Sequence, residues 1–337
     1  MSFPALRQQG FTLVELMVAM TLGAILLLLL AVLFATSQQQ FRLHTQLTEL
    51  QDNANGAIQA LSKELRVAGY VGCVSESAVT SSSTFGLPFV QAYSTMAAYQ
   101  AGVSPARSAI SSSAFSGVKG PILEVTHASY RSLPVQSVSS SSIQLTRDPY
   151  GWFDALPGST TRKVILSNCG AVKAFTVQWT ASGGVITLSP SGGFNPVIAD
   201  SVPPQAQVFS RETSTFFLAT PTGGSAPSLY QRFDDGRSIV DLRVADNVQE
   251  WGLTFSVADA TGAITSVTRS IADLSNFADW QSVQSVQVRL LLRSSQKVVP
   301  STSTYLSNFV EVTASDQFLR KEVVSTIAIR NRASERP

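Results

Sequence analysis

The chain has 337 residues, of which 14% are charged, and its formal net charge is +2. It is long enough to bury the core of one large domain or two small ones. Because no basic run is interleaved with aromatic residues, nucleic acid is not an expected partner. Two histidines and two cysteines without CxxC spacing are too few for a zinc site, so the sequence predicts no metal and no cofactor.

The first predicted element is an apolar helix near the N-terminus. Residues 16–35 contain neither a charge nor a proline, and about 20 helical residues, rising roughly 1.5 Å each, cross a bilayer core of about 30 Å. Glu15 immediately precedes this run. At this depth in the membrane an unpaired carboxylate costs on the order of 3 kcal/mol. The run therefore predicts a transmembrane helix whose acid needs a partner.

The position of Gly10 indicates how that partner could arise. In a secretory signal the small residue of the cleavage site follows the apolar run, whereas Gly10 precedes it and follows a short leader that contains Arg7. Cleavage after Gly10 would keep the helix and create an ammonium on Phe11, four residues before Glu15. The two charges attract strongly in low dielectric, within one helix or between staggered helices. An ordinary signal anchor with an acid near the membrane surface is the alternative.

The string GFTLVEL at residues 10–16 resembles the processing motif of type IV pilins and the related pseudopilins. The resemblance implies that a prepilin peptidase cuts between Gly10 and Phe11 and that Phe11 is then N-methylated. It also implies that Glu15 pairs with the amine of an adjacent subunit during filament assembly. Processing is thus assigned to Gly10 and Phe11, and assembly to Glu15.

Beyond the membrane run the helix is predicted to continue in amphipathic form. Apolar residues recur at steps of three and four, which places them on one face of a helix. This stripe consists of Leu43, Leu47, Leu50, Ala54, Ala57, Leu61, Leu65 and Ala68. Gln46 and Glu64 are among the polar residues predicted to lie off it, and Gly69 is predicted to end the helix. The stripe needs a cover, and a sheet from the same chain is expected to supply it.

The junction that follows the helix contains the first cysteine. Cys73 and Cys169 are predicted to form one disulfide, because an even count in an exported chain favours a bridge over two free thiols. The string LSKELRVAGYVGC at residues 61–73 resembles the corresponding junction in PilW-type minor pilins. The segments at 280–293 and 327–332 are similar to the C-terminal strands of the same family.

Short alternating or β-branched runs between turn signals predict strands through the rest of the chain. They cover residues 122–126, 142–146, 163–166, 175–180, 185–188, 215–219, 229–233, 239–244, 248–257, 283–293 and 323–330. Asp234, Asp235 and Gly236 predict a hairpin, because aspartate and glycine tolerate positive φ. The last three strands are expected to form one sheet over the helical stripe. Residues 74–120 are predicted to be a long, irregular and partly packed connection.

A long N-terminal helix followed by an antiparallel sheet is an α+β arrangement. It is also the fold that the resemblance to pilins implies. The chain is then expected to divide into four parts. These are a prepilin leader at 1–10, the transmembrane half of the helix at 11–35, its amphipathic half at 36–68 and a globular β-rich periplasmic or extracellular body at 69–337.

The resemblance implies a minor pilin of a type IV pilus that enters a tip complex at low copy and primes assembly. Its expected partners are other minor and major pilins, prepilin peptidase and the inner-membrane assembly machinery. The expected location is the inner membrane, crossed once with a cytoplasmic N-terminus, and then the pilus at the cell surface. A type II secretion pseudopilin J and a pilus-carried adhesin are the alternatives. No catalysis is expected, since His127 is the one histidine of the body and no G-x-S-x-G elbow is present.

The substitution Gly10→Val tests the processing site. A peptidase that accepts this site must fit the residue before the cut, so we expect a precursor that retains residues 1–10. Mass spectrometry of the membrane-bound protein measures this difference. A wild-type N-terminus at Met1, or one beyond Ala31, would contradict the pilin interpretation.

Overall fold

The computed structural model describes residues 12–73, 88–103, 110, 113–153, 161–191, 195–196, 206–224, 226–258, 264–299, 302–307 and 310–330. The predicted processing residues Gly10 and Phe11 lie outside these described residues. The described part of the chain consists of one long helix and a β-rich body. The predicted α+β fold class and its pilin-like arrangement are therefore confirmed.

Helix α1 runs without interruption over Leu13–Val67, a length of 55 residues. Thr12 is its N-cap and Ala68 its C-cap, and Gly69 follows with a φ of 75°. This left-handed conformation favours glycine at the end of a helix. A Cβ atom at Gly69 would also lie 2.9 Å from Cδ2 of Phe89. The predicted stop therefore has both a conformational and a steric reason.

The two halves of α1 have different surroundings. Every residue of the helix before Gln46 is exposed or half-buried, and the most apolar window of the helix has 0% of its residues buried in the body. The later part of the predicted stripe packs inward. Its buried members are Leu50, Ala54, Ala57, Leu61, Leu65 and Ala68. Gln46 and Glu64 are buried as well. The prediction that they lie off the packed face is therefore wrong, because distant strands supply hydrogen-bond partners for both side chains.

The described body contains fifteen strands and two short α-helices. The strands are β1 (Val90–Tyr93), β2 (Phe115–Val138), β3 (Ile143–Leu145), β4 (Arg162–Asn168), β5 (Ala171–Ser182), β6 (Val185–Pro190), β7 (Gln207–Pro221), β8 (Ser228–Asp234), β9 (Ile239–Ala245), β10 (Val248–Ala258), β11 (Ile264–Arg269), β12 (Val283–Lys297), β13 (Ser303–Ser307), β14 (Val310–Ala314) and β15 (Phe318–Ala328). The helices are α2 (Met96–Gly102) and α3 (Phe277–Gln281), and a 3₁₀ turn spans Ile271–Asp273. All pairings between strands are antiparallel in the described residues.

Nine strands form one large sheet in the order β1-β2-β3-β6-β5-β4-β7-β8-β9. The long strands β2 and β7 also pair with each other, so β2, β3, β6, β5, β4 and β7 close into a ring of six strands. Apolar side chains from all six strands fill its interior, as in a small closed barrel. They are Leu133, Val135, Ile143, Leu145, Val164, Leu166, Val177, Ile186, Leu188 and Val208.

A second sheet has four strands in the order β11-β10-β12-β15. The prediction that the three long C-terminal strands are neighbours is confirmed by the pairing of β12 with both β10 and β15. Their side chains share one core with the stripe of α1, but Leu123 of β2 and Phe216 of β7 belong to the same core. The predicted cover was therefore incomplete, because the helix packs on both sheets.

The prediction of an irregular connection over residues 74–120 is wrong for its described part, which contains β1, α2 and the start of β2. Strand β1 has four residues and α2 has seven, and elements this short carry too few residues to show a periodicity. Tyr93, Tyr99 and Phe115 are buried in one aromatic cluster with Phe217. Tertiary packing rather than local pattern thus forms these elements.

The hairpin predicted at Asp234, Asp235 and Gly236 is confirmed. Strand β8 ends at Asp234 and pairs with β9 from Ile239 onward, and Gly236 between them has a φ of 77°. Its backbone N–H donates to the Asp234 carboxylate at 2.9 Å, which is a turn stabilised by an aspartate side chain.

Leu61→Ala tests the contact between helix and sheets. Leu61 is completely buried in the shared core, so we expect a loss of about 2 to 5 kcal/mol in the free energy of unfolding. Urea unfolding of the full-length protein in detergent measures it. Gln59→Ala is the matched control, because Gln59 is exposed on the same helix and should change stability by less than about 0.5 kcal/mol. Equal effects of the two variants would contradict this packing.

Candidate functional site

The N-terminal end of α1 holds Glu15 in a capping box. The Thr12 Oγ1 accepts a hydrogen bond from the backbone N–H of Glu15 at 3.3 Å. The Glu15 carboxylate accepts from the backbone N–H of Thr12 at 3.5 Å and from its Oγ1–H at 3.4 Å. Such a box satisfies two backbone donors that the first turn of a helix leaves free. These bonds are long and exposed, so they hold the carboxylate only weakly.

The first half of α1 carries exposed apolar side chains on all of its sides. Leu13, Leu27 and Phe34 are respectively 74%, 67% and 67% exposed, and a helix that is apolar on all sides requires lipid or partner helices around it. The threonine hydroxyls of this half donate within the helix. The Thr21 hydroxyl donates to the Val18 carbonyl at 2.9 Å, which is what a lipid environment demands of a buried hydroxyl. The first half of α1 is therefore able to span a membrane.

The opposite end of α1 is tied to the body by a disulfide. Cys73 and Cys169 are bonded, with their Cα atoms 4.8 Å apart and a sequence separation of 96 residues. The predicted bridge is thus confirmed. Cys169 lies in the turn between β4 and β5, so the bridge connects the end of the helix to the barrel. By chain-entropy estimates, a bridge that closes a loop of this length stabilises the folded state by roughly 4 to 5 kcal/mol.

In the last turn of α1, Glu64 forms a buried polar cluster with the large sheet. Its Oε2 accepts a hydrogen bond from the Ser214 Oγ at 2.8 Å and lies 3.3 Å from the Nε2 of His127. The Nδ1 of His127 donates to the carbonyl of Ala128 at 2.7 Å. Because Nδ1 is already a donor, Nε2 donates to Glu64 only when the ring is an imidazolium. The cluster therefore places an ion pair between α1 and strands β2 and β7.

The pKa values of the cluster favour this ion pair. Burial by itself would raise the pKa of Glu64, but the hydrogen bonds from His127 and Ser214 bring that pKa below its ordinary value. Burial would likewise lower the pKa of His127, yet its bonds to Glu64 and to the Ala128 carbonyl raise that pKa above its ordinary value. A second carboxylate, Glu212, lies 3.9 Å from Nδ1, and burial raises its pKa.

The cluster contains a serine, a histidine and a glutamate, but their arrangement suits support rather than nucleophilic catalysis. The Ser214 hydroxyl donates to Glu64 and accepts from the Nε2 of Gln231 at 3.0 Å. Ser214 is 0% exposed, whereas a nucleophile needs a base and an approach path for substrate. Among the described residues, no group of three or more His, Cys, Asp and Glu side chains is placed to hold a metal ion.

Only part of these residues can be predicted from the sequence. Glu15 and the Cys73–Cys169 bridge, both predicted from the sequence, lie near opposite ends of a helix of 55 residues, so they do not form one site. Glu64 and Ser214 were missed, and His127 was considered only as a candidate base. The signal for Glu64 was its position between Leu61 and Leu65, because the 3.6-residue period of a helix places it at the edge of the packed stripe.

Comparisons with known protein families match both ends of the chain. The family model described as Prokaryotic N-terminal methylation motif matches residues 6–31, and the one described as Type IV Pilus-assembly protein W matches residues 215–331. No curated protein matches the chain. No solved structure matches it either.

The match to the methylation motif lies over the start of a long helix whose apolar first half the body does not cover, so this part of the chain is similar to type IV pilins. More particularly, the C-terminal third of the chain is similar to the family described as Type IV Pilus-assembly protein W, over a stretch that runs from within β7 to just past the end of β15. The predicted resemblance is confirmed at both ends. The families matched consist of structural proteins that take part in pilus assembly.

Because of this cluster, we expect the free energy of unfolding to fall both at low pH and at high pH. Glu64 has a lowered folded pKa, so its contribution is present above its unfolded value of 4.5 and is lost as the pH falls through the folded pKa. His127 has a raised folded pKa, so its contribution is complete below 6.5 and is lost as the pH rises through the folded pKa. The raised pKa of Glu212 adds to the loss above 4.5. We expect the wild type to be less stable at about pH 8.5 than at about pH 5.5.

Chemical unfolding of His127→Gln at the two pH values measures this effect. The variant should be destabilised by about 3 to 5 kcal/mol at the lower pH, because it leaves Glu64 as a buried unpaired charge, and its loss toward high pH should shrink. His44→Gln is the matched control, since His44 is exposed on the same helix as Glu64. An unchanged pH dependence in His127→Gln would contradict the assignment.

Proposed function

We propose that this protein is a minor pilin of a type IV pilus, processed between Gly10 and Phe11 and N-methylated on Phe11. It enters a tip complex at low copy and primes the assembly of the filament. The observation that carries the proposal is the position of Glu15, a lone acid at the start of an apolar half-helix that the body does not cover. Its described hydrogen bonds are the long bonds to Thr12, which a stronger partner could replace.

The partner proposed for Glu15 is the ammonium of Phe11 on an adjacent subunit. Phe11 precedes Glu15 by four residues, or about 6 Å along a helix, so two parallel helices staggered by one turn bring the opposite charges to the same level. In lipid or in the interior of a filament the attraction is much stronger than in water. Docking then offsets the cost of keeping Glu15 in an apolar environment.

The proposed location follows the same division of the helix. Before assembly the apolar half crosses the inner membrane once, with a cytoplasmic N-terminus and a periplasmic body. The disulfide between Cys73 and Cys169 supports this orientation, because such bridges persist in oxidising compartments such as the periplasm. After extraction the same half packs among the helices of other minor and major pilins, and the body is carried to the cell surface. Prepilin peptidase and the inner-membrane assembly machinery are the proposed earlier partners.

The two alternatives, a secretion pseudopilin J and a pilus-carried adhesin, assign different roles to the body. The match to a pilus-assembly domain over residues 215–331 favours a pilus subunit over pseudopilin J of a secretion system. The adhesin alternative draws its support from the barrel, most of which precedes the matched domain. Binding of a surface ligand by the barrel is compatible with a role in assembly, whereas an enzymatic role has no support from the buried Ser214 cluster.

Substitutions at Glu15 and Thr12 separate assembly from helix capping. Glu15→Gln keeps the capping box, since glutamine serves at this position, but it removes the charge. Thr12→Ala removes the cap and keeps the charge. We therefore expect Glu15→Gln and Glu15→Ala to reduce surface pili and co-purification with other pilins, while Thr12→Ala assembles at near wild-type levels. Each variant complements a deletion strain at native expression, and pili are counted beside the inner-membrane level of the protein.

Processing must be monitored in the same strains. Mass spectrometry of each variant verifies cleavage after Gly10, so that a loss of pili is not mistaken for a failure of the peptidase. Normal piliation with Glu15→Ala would refute the proposed docking role. Normal piliation with Glu15→Gln together with a defect in Thr12→Ala would assign Glu15 to capping alone.

A further inference from the structure

The end of strand β12 nearest the membrane run is held against α1 by hydrogen bonds to the side chains of Gln46 and Glu49. Gln46 is 5% exposed, and its Oε1 accepts hydrogen bonds from the backbone N–H and the Oγ of Ser295, both at 2.9 Å. It also accepts from the backbone N–H of Gln296 at 3.2 Å. Three donors on one amide oxygen hold this part of the body against the helix. Lys297, the last residue of β12, is thereby positioned beside α1.

A cavity of about 360 Å³ lies just beyond this contact. Its walls come from about two turns of α1 at the end of the apolar run and from the chain that leaves β12. The lining residues are Ala35, Gln38, Gln39, Arg42, Lys297, Val298 and Val299. Two cations and two amide side chains thus face one space, and no carboxylate is among the residues that line it.

The cavity lies at the level expected for lipid headgroups. The uncharged run spans residues 16–35, so a bilayer core of about 30 Å ends near Ala35. Gln38 and Gln39 follow by roughly 5 to 6 Å and Arg42 by roughly 10 Å along the helix. The headgroup layer adds about 5 to 8 Å on each side of the core, and a long arginine side chain reaches back toward it.

The two cations are available to bind an anion. Arg42 and Lys297 are exposed, and neither forms an ion pair with any carboxylate in the described part of the chain. The Nζ of Lys297 lies 5.9 Å from the ring centre of Phe318, which leaves its hydrogen-bond donors unoccupied by that contact. Arginine and lysine side chains beside amide donors are the groups that proteins use to bind phosphate.

We propose that this cavity binds the phosphate headgroup of an anionic phospholipid in the membrane that α1 crosses. The choice of a lipid over a free phosphate rests on continuity, because Ala35 forms both the wall of the cavity and the end of the apolar run. A headgroup seated between Arg42 and Lys297 leaves its acyl chains along the exposed apolar face of α1. Gln46 acts as the positioning residue, since it holds the strand that carries Lys297.

The test uses the full-length protein in a neutral detergent and native mass spectrometry of lipid adducts. Phosphatidylglycerol, phosphatidylcholine and inorganic phosphate are the three probes. The variant Arg42→Gln/Lys297→Gln removes both cations, and Arg66→Gln/Lys119→Gln is the matched control with the same change of net charge at exposed residues outside the cavity. An intact Cys73–Cys169 bridge and an unchanged circular dichroism spectrum establish that each variant is folded.

We expect the wild type and the control to retain phosphatidylglycerol in preference to phosphatidylcholine. The variant without the cavity cations should bind phosphatidylglycerol about tenfold more weakly or worse, since each cation near an anionic headgroup contributes separately. Equal retention by this variant and the control would overturn the proposal. Equal binding of the two lipids by the wild type would also overturn it, and displacement of phosphatidylglycerol by inorganic phosphate would show a free-phosphate site instead.

Discussion

The packing of one face of α1 against two sheets is the contact on which the rest of the structure depends. The helix has a single continuous backbone but two environments, because its first half has no cover from the body and its second half lies in the shared core. Leu50, Leu61 and Leu65 are each no more than 2% exposed. This contact holds the projecting half-helix on the body, and it brings together strands that are far apart in sequence.

Apolar packing alone would not specify where the helix sits along the sheets. A stripe of leucine and alanine repeats every three or four residues, so a shift by one turn would still bury much of it. Two buried polar residues remove this ambiguity. Gln46 meets the donors of Ser295 at one end, and Glu64 meets His127 and Ser214 at the other. A shifted helix would leave each of these groups buried without its partner, which is costly.

The long strands β2 and β7 belong to two structural regions of the body at once. One part of each strand packs on α1, and another part closes the six-stranded barrel. The match to the pilus-assembly family begins at residue 215, within β7, so it covers the whole second sheet and leaves out most of the barrel. Because β2 and β7 take part in both, the barrel is joined directly to the core that holds α1.

The sequence by itself determined the features that depend on local pattern. The apolar run, the amphipathic stripe, the stop at Gly69, the hairpin at Gly236 and the eleven predicted strands each follow from periodicity, turn chemistry or composition. The tertiary structure alone decided which strands pair, because antiparallel registers between distant segments such as β2 and β7 leave no local trace. It also decided the roles of Gln46 and Glu64, since a polar side chain in a helix is buried only when a distant strand supplies its hydrogen-bond partner.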